Sequence, residues 1–193
     1  KLDGFRIITM IRGGKAVLFS RNGNNVTAKY SILVPELSRQ PASELVLDGE
    51  IIALDEKGKQ CFQCLQNYLK SVGRKDGGEE TGFPLVYYVF DILYLDGYDL
   101  RGAALRYRKE LLKKVFSPGE RVRLIEYFEK DGETVYKAAV KNGLEGVVAK
   151  QVDSIYQSGK RSADWLKIKA TLSDEFVIGG YSVAPEGARE TTF

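Results

Sequence analysis

Six basic residues stand where short apolar runs begin or end: Lys1, Arg6, Arg21, Lys150, Lys167 and Lys169. Two carboxylates, Glu50 and Glu145, each sit beside a glycine at such an edge. Cations gathered with a few carboxylates suit a phosphorylated substrate and an accompanying magnesium ion, which takes oxygen ligands. No GxxxxGK[ST] stretch is present, so the phosphates are not held by a Walker-type loop. Nor is there any histidine, which removes a Ser-His-Asp triad, a Cys-His pair and His-ligated zinc. Nucleophilic and acid–base work therefore falls to Lys, Asp, Glu, Tyr or Cys. A lysine nucleophile must react as the neutral amine, the form that neighbouring cations favour.

Taken singly, these fragments are weak. The alternation in WLKIK (165–169) puts Leu166 and Ile168 on one face and two lysines on the other, which a solvent-facing strand would also do. Two like charges on one face do repel unless something anionic lies opposite, which favours a ligand. Cys61 and Cys64 have CxxC spacing, but no second pair completes a zinc site. CFQCLQNYL has the pattern of an amphipathic helix, so the sequence predicts reduced, half-buried thiols in an intracellular protein; a redox pair or half a metal site is the competing reading.

The elements that must position these residues follow from patterning. FRIITMIR (5–12) and KAVLFS (15–20) are β-rich runs separated by Gly13-Gly14, a hairpin signal. A helix capped by Thr27 is predicted over 27–39, and a pair of strands in LVLDGEIIALDEKGK, with DG inside it and a KG turn after it. A helix follows over 60–72, then a glycine- and charge-rich surface loop over 74–82. LVYYVFDILYL, after Pro84, suits a buried strand. Helices over 105–116 and 133–141 alternate with strands at 122–128, EGVVAK and WLKIK. Hairpins with intervening helices predict an α+β fold with substantially antiparallel sheets.

At 193 residues, 44% hydrophobic and 28% charged, the chain is expected to build one globular core with part of a second domain. The net charge of +3 permits an anionic partner without specifying one. No apolar run reaches the roughly 18 residues of a membrane span, and KLDGFR is not the apolar start of a secretory leader. Because residues 1–6 look like the interior of a motif and the first is not Met, the sequence is expected to be part of a longer chain.

The order of the fragments resembles the covalent nucleotidyltransferases, and within them the ATP-dependent DNA ligases. KLDGFR matches the KxDGxR of motif I, SRNG (20–23) motif Ia, and LDGEI (47–51) motif III. YYVFDILYLDG (87–97) matches motif IIIa in its DNA-ligase form, EGVVAK (145–150) motif IV, and WLKIK motif V. KxDG alone could arise by chance, but six motifs in the right order over residues 1–169 leave little room for coincidence.

The resemblance implies a nucleotidyltransferase (ATP-grasp-like) adenylation domain over 1–172, with two antiparallel sheets flanked by helices. It implies that Lys1 attacks the α-phosphate of ATP to give lysyl-AMP and pyrophosphate. Arg6 would hold the ribose or the 5′ side of a nick, and Arg21 the 5′-phosphate. Glu50 would bind the ribose hydroxyl directly or through metal or water, and Phe90 would stack on adenine, though a core role also suits that ring. Glu145, with Glu50, would bind Mg2+ or Mn2+, and Lys150, Lys167 and Lys169 would surround the α-phosphate. Trp165 would pack at the rim of the site, while Asp3, Asp48 and Asp91 would fix loop geometry.

The closing DEFVIGGYSVAPEGAR resembles the start of the OB-fold domain in bacterial and archaeal end-joining ligases of the ligase D type, so 173–193 is expected to begin an incomplete OB fold. That type implies nicked duplex DNA, Ku and upstream polymerase or nuclease domains as partners. It also implies double-strand-break repair in a prokaryotic cytoplasm, at the nucleoid, with no membrane. The pattern departs from the family in two places: nothing precedes Lys1, and most of the OB domain with its motif VI cations is missing, so these residues are expected to retain AMP without sealing nicks. An RNA ligase or mRNA-capping guanylyltransferase shares KxDG and KxK, and a non-catalytic DNA-binding scaffold would share the fold.

Overall fold

A computed structural model describes residues 1–72, 83–129, 131–160 and 162–170. The predicted loop at 74–82 and the predicted OB strand at 173–193 lie outside the described residues. Strands β1 (Phe5–Arg12) and β2 (Lys15–Ser20) form the expected hairpin, Arg12 facing Lys15 across Gly13-Gly14. Both glycines have positive φ (53° and 72°), the backbone twist a two-residue turn between right-twisted strands needs.

Residues 27–39 do not make one helix. A 3-10 helix, Thr27–Leu33, with a non-helical Tyr30, leads into the four-residue α1, Val34–Leu37. Thr27 is not a cap: its hydroxyl accepts the Leu18 N–H at 2.9 Å and donates to Asn25 Oδ1, joining the turn to β2. The predicted strand pair at 45–59 is one long strand, β3 (Glu44–Ala53), with Asp48-Gly49 in its middle. That dipeptide spells a turn in isolation, but here Asp48 is buried against an arginine. The turn comes later, where the Asp55 carboxylate accepts from the Lys57 and Lys59 N–H groups.

Helix α2 (Phe62–Ser71) and strand β4 (Leu85–Leu95) follow as predicted, then the short β5 (Tyr98–Asp99) and helix α3 (Leu105–Val115). Strand β6 is only Val122–Leu124, its pairing with β4 ending where the Ile125 N–H donates to the Val89 carbonyl at 2.9 Å. Helix α4 (Gly132–Lys141) leads to β7 (Gly146–Lys150), and β8 (Trp165–Lys169) completes the series.

The larger sheet runs β2-β1-β3-β4-β5, with β6 beside β4, and β7-β8 form a second sheet. All pairs are antiparallel except β4–β6, which is parallel. The core lies on one face of the larger sheet, where Ile7, Leu18, Leu47, Ile51, Tyr87 and Ile92 meet Leu33, Leu37, Leu65 and Leu112 from the helices. Each such side chain contributes about 1.5–3 kcal/mol on burial. The opposite face of β1, β3 and β4 is left to carry polar residues toward the second sheet.

Candidate active site

Lys1 lies between the two sheets. Its ammonium is ion-paired with Glu145, and its backbone nitrogen donates to the Gly146 carbonyl. Lys169 approaches the other oxygen of Glu145 at 3.8 Å. The neighbouring glycines make this closeness possible. A Cβ on Gly4 would collide with the Ile51 carbonyl oxygen, and one on Gly146 with that of Ile168. Gly146 also has φ of +131°, which L side chains rarely adopt.

Arg6 and Glu50 face each other in the β1–β3 register. The Arg6 guanidinium turns to Asp48, donating from Nε to Oδ1 at 3.0 Å and from Nη2 to Oδ2 at 2.6 Å. Tyr156 closes this group, its hydroxyl donating to Asp48 Oδ2 at 2.8 Å and accepting from Arg6 Nη2 at 3.0 Å. Burial works against the Arg6 charge, but the hydrogen bonds and negative charge of Asp48 outweigh it and hold Arg6 above its ordinary value.

Beside Arg6 stand two rings. Phe90 and Trp165 meet edge to face at 6.4 Å, and the Arg6 guanidinium lies 5.8 Å from each centroid. Lys150 is held more closely, its ammonium 4.3 Å from the Phe90 centroid and 3.6 Å from that of Trp165. Such contacts attract a cation to the ring face. Burial pushes Lys150 down to about 7, with Asp91 opposing and Lys109 adding to the shift. The expected phosphate lysines therefore divide: Lys169 is beside Glu145 and Lys1, whereas Lys150 is seated on the rings at the far end of β7-β8.

The Glu50 carboxylate forms no ion pair or hydrogen bond among the described residues. Burial lifts it to about 7, against the opposing charges of Lys1 and Arg6 and with Asp48 adding to the rise. Between about pH 4.5 and 7 the folded state keeps a proton that the unfolded chain has lost, so this contribution to stability disappears as pH rises through 7. Glu50→Gln should therefore gain stability over the parent between pH 5 and pH 8, by up to about 3 kcal/mol. Urea unfolding at both pH values measures the gain, and an equal difference at each would refute it.

Lys167 belongs to the same electrostatic group, since its charge acts on Glu50. Arg21 is exposed in the turn after β2 and joins none of these ion pairs or hydrogen bonds. Lys1, Arg6, Glu50, Phe90, Glu145, Lys150, Lys167 and Lys169 thus come together, and Arg21 stands apart. Tyr156 and Arg108 were not anticipated. Arg108, fully buried, forks onto Asp91 from Nε at 2.9 Å and Nη2 at 3.0 Å, with its guanidinium 5.8 Å from the Tyr156 ring. An arginine at an inward position of an amphipathic helix was the available signal.

The cysteines differ from expectation. Cys61 and Cys64 form a disulfide at the start of α2 rather than two reduced thiols, because the first turn of a helix brings residues three apart together. Among the described residues no group of three carboxylates or thiols gathers as a ready-made metal cage. No described helix is long and apolar enough to cross a membrane.

A lysine between two sheets, ringed by cations, carboxylates and aromatic side chains, defines the adenylation domain of a nucleotidyltransferase. The model of the ATP-dependent DNA ligase domain matches residues 1–169, and the chain belongs to that family. It is 37% identical over 191 residues to the multifunctional non-homologous end joining protein LigD of Pseudomonas aeruginosa, covering 98% of this chain and 22% of that protein. The LigD of Mycobacterium tuberculosis is 36% identical over 191 residues, covering 99% and 24%. The crystal structure of the ligase domain from M. tuberculosis LigD superposes with a TM-score of 0.72 at 35% identity, over 88% of this chain and 52% of that one. A mycobacterial DNA ligase D complexed with ATP and MES gives a TM-score of 0.71 at 34% identity, over the same shares. The chain therefore spans under a quarter of the length of these LigD proteins.

Proposed function

We propose that this chain captures AMP from ATP on Lys1. The observation that carries the reading is the Lys1–Glu145 ion pair, set between two sheets with Lys169 alongside. The Lys1 Nζ forms a bond to the α-phosphorus, the bond from that phosphorus to the β-phosphate oxygen breaks, and pyrophosphate leaves. The ammonium first gives one proton to Glu145 or to solvent so that the neutral amine attacks, and Nζ sheds a second proton to solvent as the phosphoramidate forms. Lys167 and Lys169 stabilise charge on the α-phosphate. The base stacks on Phe90 once Lys150 leaves that ring for the phosphates, and Arg6 reaches the ribose from its anchor on Asp48.

Glu145, paired with Lys1, and Glu50, whose charge is coupled to that of Lys1, fit a magnesium or manganese ion that also takes phosphate oxygens and water. Bound there, the ion would shield phosphate charge. Residues 1–172 form the adenylation domain, and 173–193 begin an OB fold. The AMP then passes to a DNA 5′-phosphate and a nick is sealed. In this reading Arg21 meets that 5′-phosphate, and Ku and polymerase or nuclease domains act in the same prokaryotic end-joining system.

Labelling with α-phosphate-labelled nucleotides tests the reading. One AMP per chain should be acquired from ATP, with at least about 100-fold preference over GTP, and released again by pyrophosphate; a hydrogen-bonded base edge supplies discrimination of that order or more. Equal labelling from GTP would instead favour a capping-type enzyme.

A further inference from the structure

The Cys61–Cys64 pair has no part in adenylation chemistry, yet the residues on either side of Cys61 touch the segment that carries the nucleophile. Cys61 is half-buried and caps α2, its Sγ accepting the Cys64 N–H at 3.1 Å, while Cys64 is buried at 7% exposure. Next to it, the Gln60 side chain accepts the Asp3 backbone N–H at 3.2 Å. On the other side, the Phe62 ring packs 5.6 Å from that of Phe5. The Cys61 N–H itself donates to the Ala53 carbonyl at the end of β3. Asp3 and Phe5 flank Gly4 in the hexapeptide that begins with Lys1, so residues 60–62 grip that hexapeptide from both sides of the first cysteine.

Disulfides in cell interiors are mostly transient or redox-sensing, and an accessible one at a helix N-terminus is the kind that exchanges. We propose that Cys61–Cys64 is a reversible two-electron exchange site for dithiol reductants, and that its state sets how firmly the Lys1 segment is held. The consequence for activity rests on the reading of Lys1 as nucleophile.

The exchange balances as follows. A thiolate of the dithiol attacks the Sγ of Cys61, the more exposed residue of the pair, the S–S bond breaks, and Cys64 leaves as a thiolate that takes a proton. The second thiol of the reductant then attacks the mixed disulfide, freeing Cys61 as a thiol and leaving the reductant as its cyclic disulfide. Closed, the bridge fixes Cys61 to the first turn of α2 and so fixes the spacing of Gln60 and Phe62. Open, it returns torsional freedom to residues 60–62, and the hold on Asp3 and Phe5 weakens.

The test equilibrates the full chain in graded ratios of reduced to oxidised dithiothreitol, with acid quench, alkylation by iodoacetamide and intact mass. The count of alkyl groups should move reversibly between zero and two. On reduction, amide hydrogen exchange over residues 1–12 should speed up, and AMP labelling from ATP should slow by about 2- to 5-fold, returning on reoxidation. Cys61→Ser/Cys64→Ser should label at the reduced rate whatever the buffer. Two alkyl groups at every ratio, or none, would overturn the exchange site. A full two-thiol transition with unchanged exchange over residues 1–12 would overturn the coupling. If no AMP is acquired in either state, the Lys1 reading fails, while the alkyl count and amide exchange still decide this proposal.

Discussion

Incubated with ATP and magnesium, the protein should gain the mass of one AMP, and Lys1→Ala should gain none. The expected loss is about 10^4-fold or more, the scale on which removal of a covalent nucleophile is felt. No second amine is equivalent. Lys150 is seated on the Phe90 and Trp165 rings, and Lys169 approaches Glu145 from a strand whose lysines point across the sheet. Lys1→Ala should leave folding nearly unchanged, since Glu145 keeps Lys169 within 3.8 Å. Lys1→Arg is the sharper variant: it preserves a cation for Glu145 but offers a guanidinium that is always protonated and does not attack. Intact mass is the readout for all three, and a label that survives Lys1→Ala would remove the central assignment.

Arg108→Met should destabilise the fold by about 3–5 kcal/mol, the cost of leaving a buried carboxylate without its partner. Asp48 and Asp91 lie directly opposite each other in the β3–β4 register, and both are wholly buried. Two carboxylates so placed are tolerable because each carries its own arginine, Arg6 on Asp48 and Arg108 on Asp91. Arg108 also donates to the Ser154 carbonyl, and through that loop it supports Tyr156. Removing it alone therefore strands Asp91 and turns it against Asp48. Asp91→Asn/Arg108→Met should recover most of the loss, since an apolar replacement of a whole buried pair is often near neutral. Urea midpoints with unchanged slope would report both effects. A cost below about 1 kcal/mol for Arg108→Met would show that the pair is not what keeps the two acids together.

Elements with an unbroken local pattern were legible in the sequence. The β1–β2 hairpin, β4, α3 and α4 are specified by alternation, apolar runs and turn glycines, and they occur where predicted. The misplaced elements are those where a long-range partner overrides a local signal. Asp48-Gly49 reads as a turn until Arg6 and Tyr156, 42 residues before and 108 after Asp48, claim its carboxylate within a strand. Thr27 reads as a helix cap until the Leu18 N–H takes its hydroxyl. The site divides in the same way. Residues in short motifs could be named in advance, whereas Tyr156 and Arg108 work only through partners distant in the chain.

Gly4 and Gly146, each pressed against a carbonyl oxygen of the strand opposite, have a consequence for how this protein can change. The letters around Lys1 divide into those that react and those that merely let other atoms come near. A reactive letter can be altered and leave an intact but inert protein. A permissive one cannot accept even a single methyl group without separating the strands that bring Lys1 to Glu145. For any programme of mutation, natural or deliberate, the path to a new specificity therefore runs through the large side chains around the rings, and the smallest residues are its fixed points.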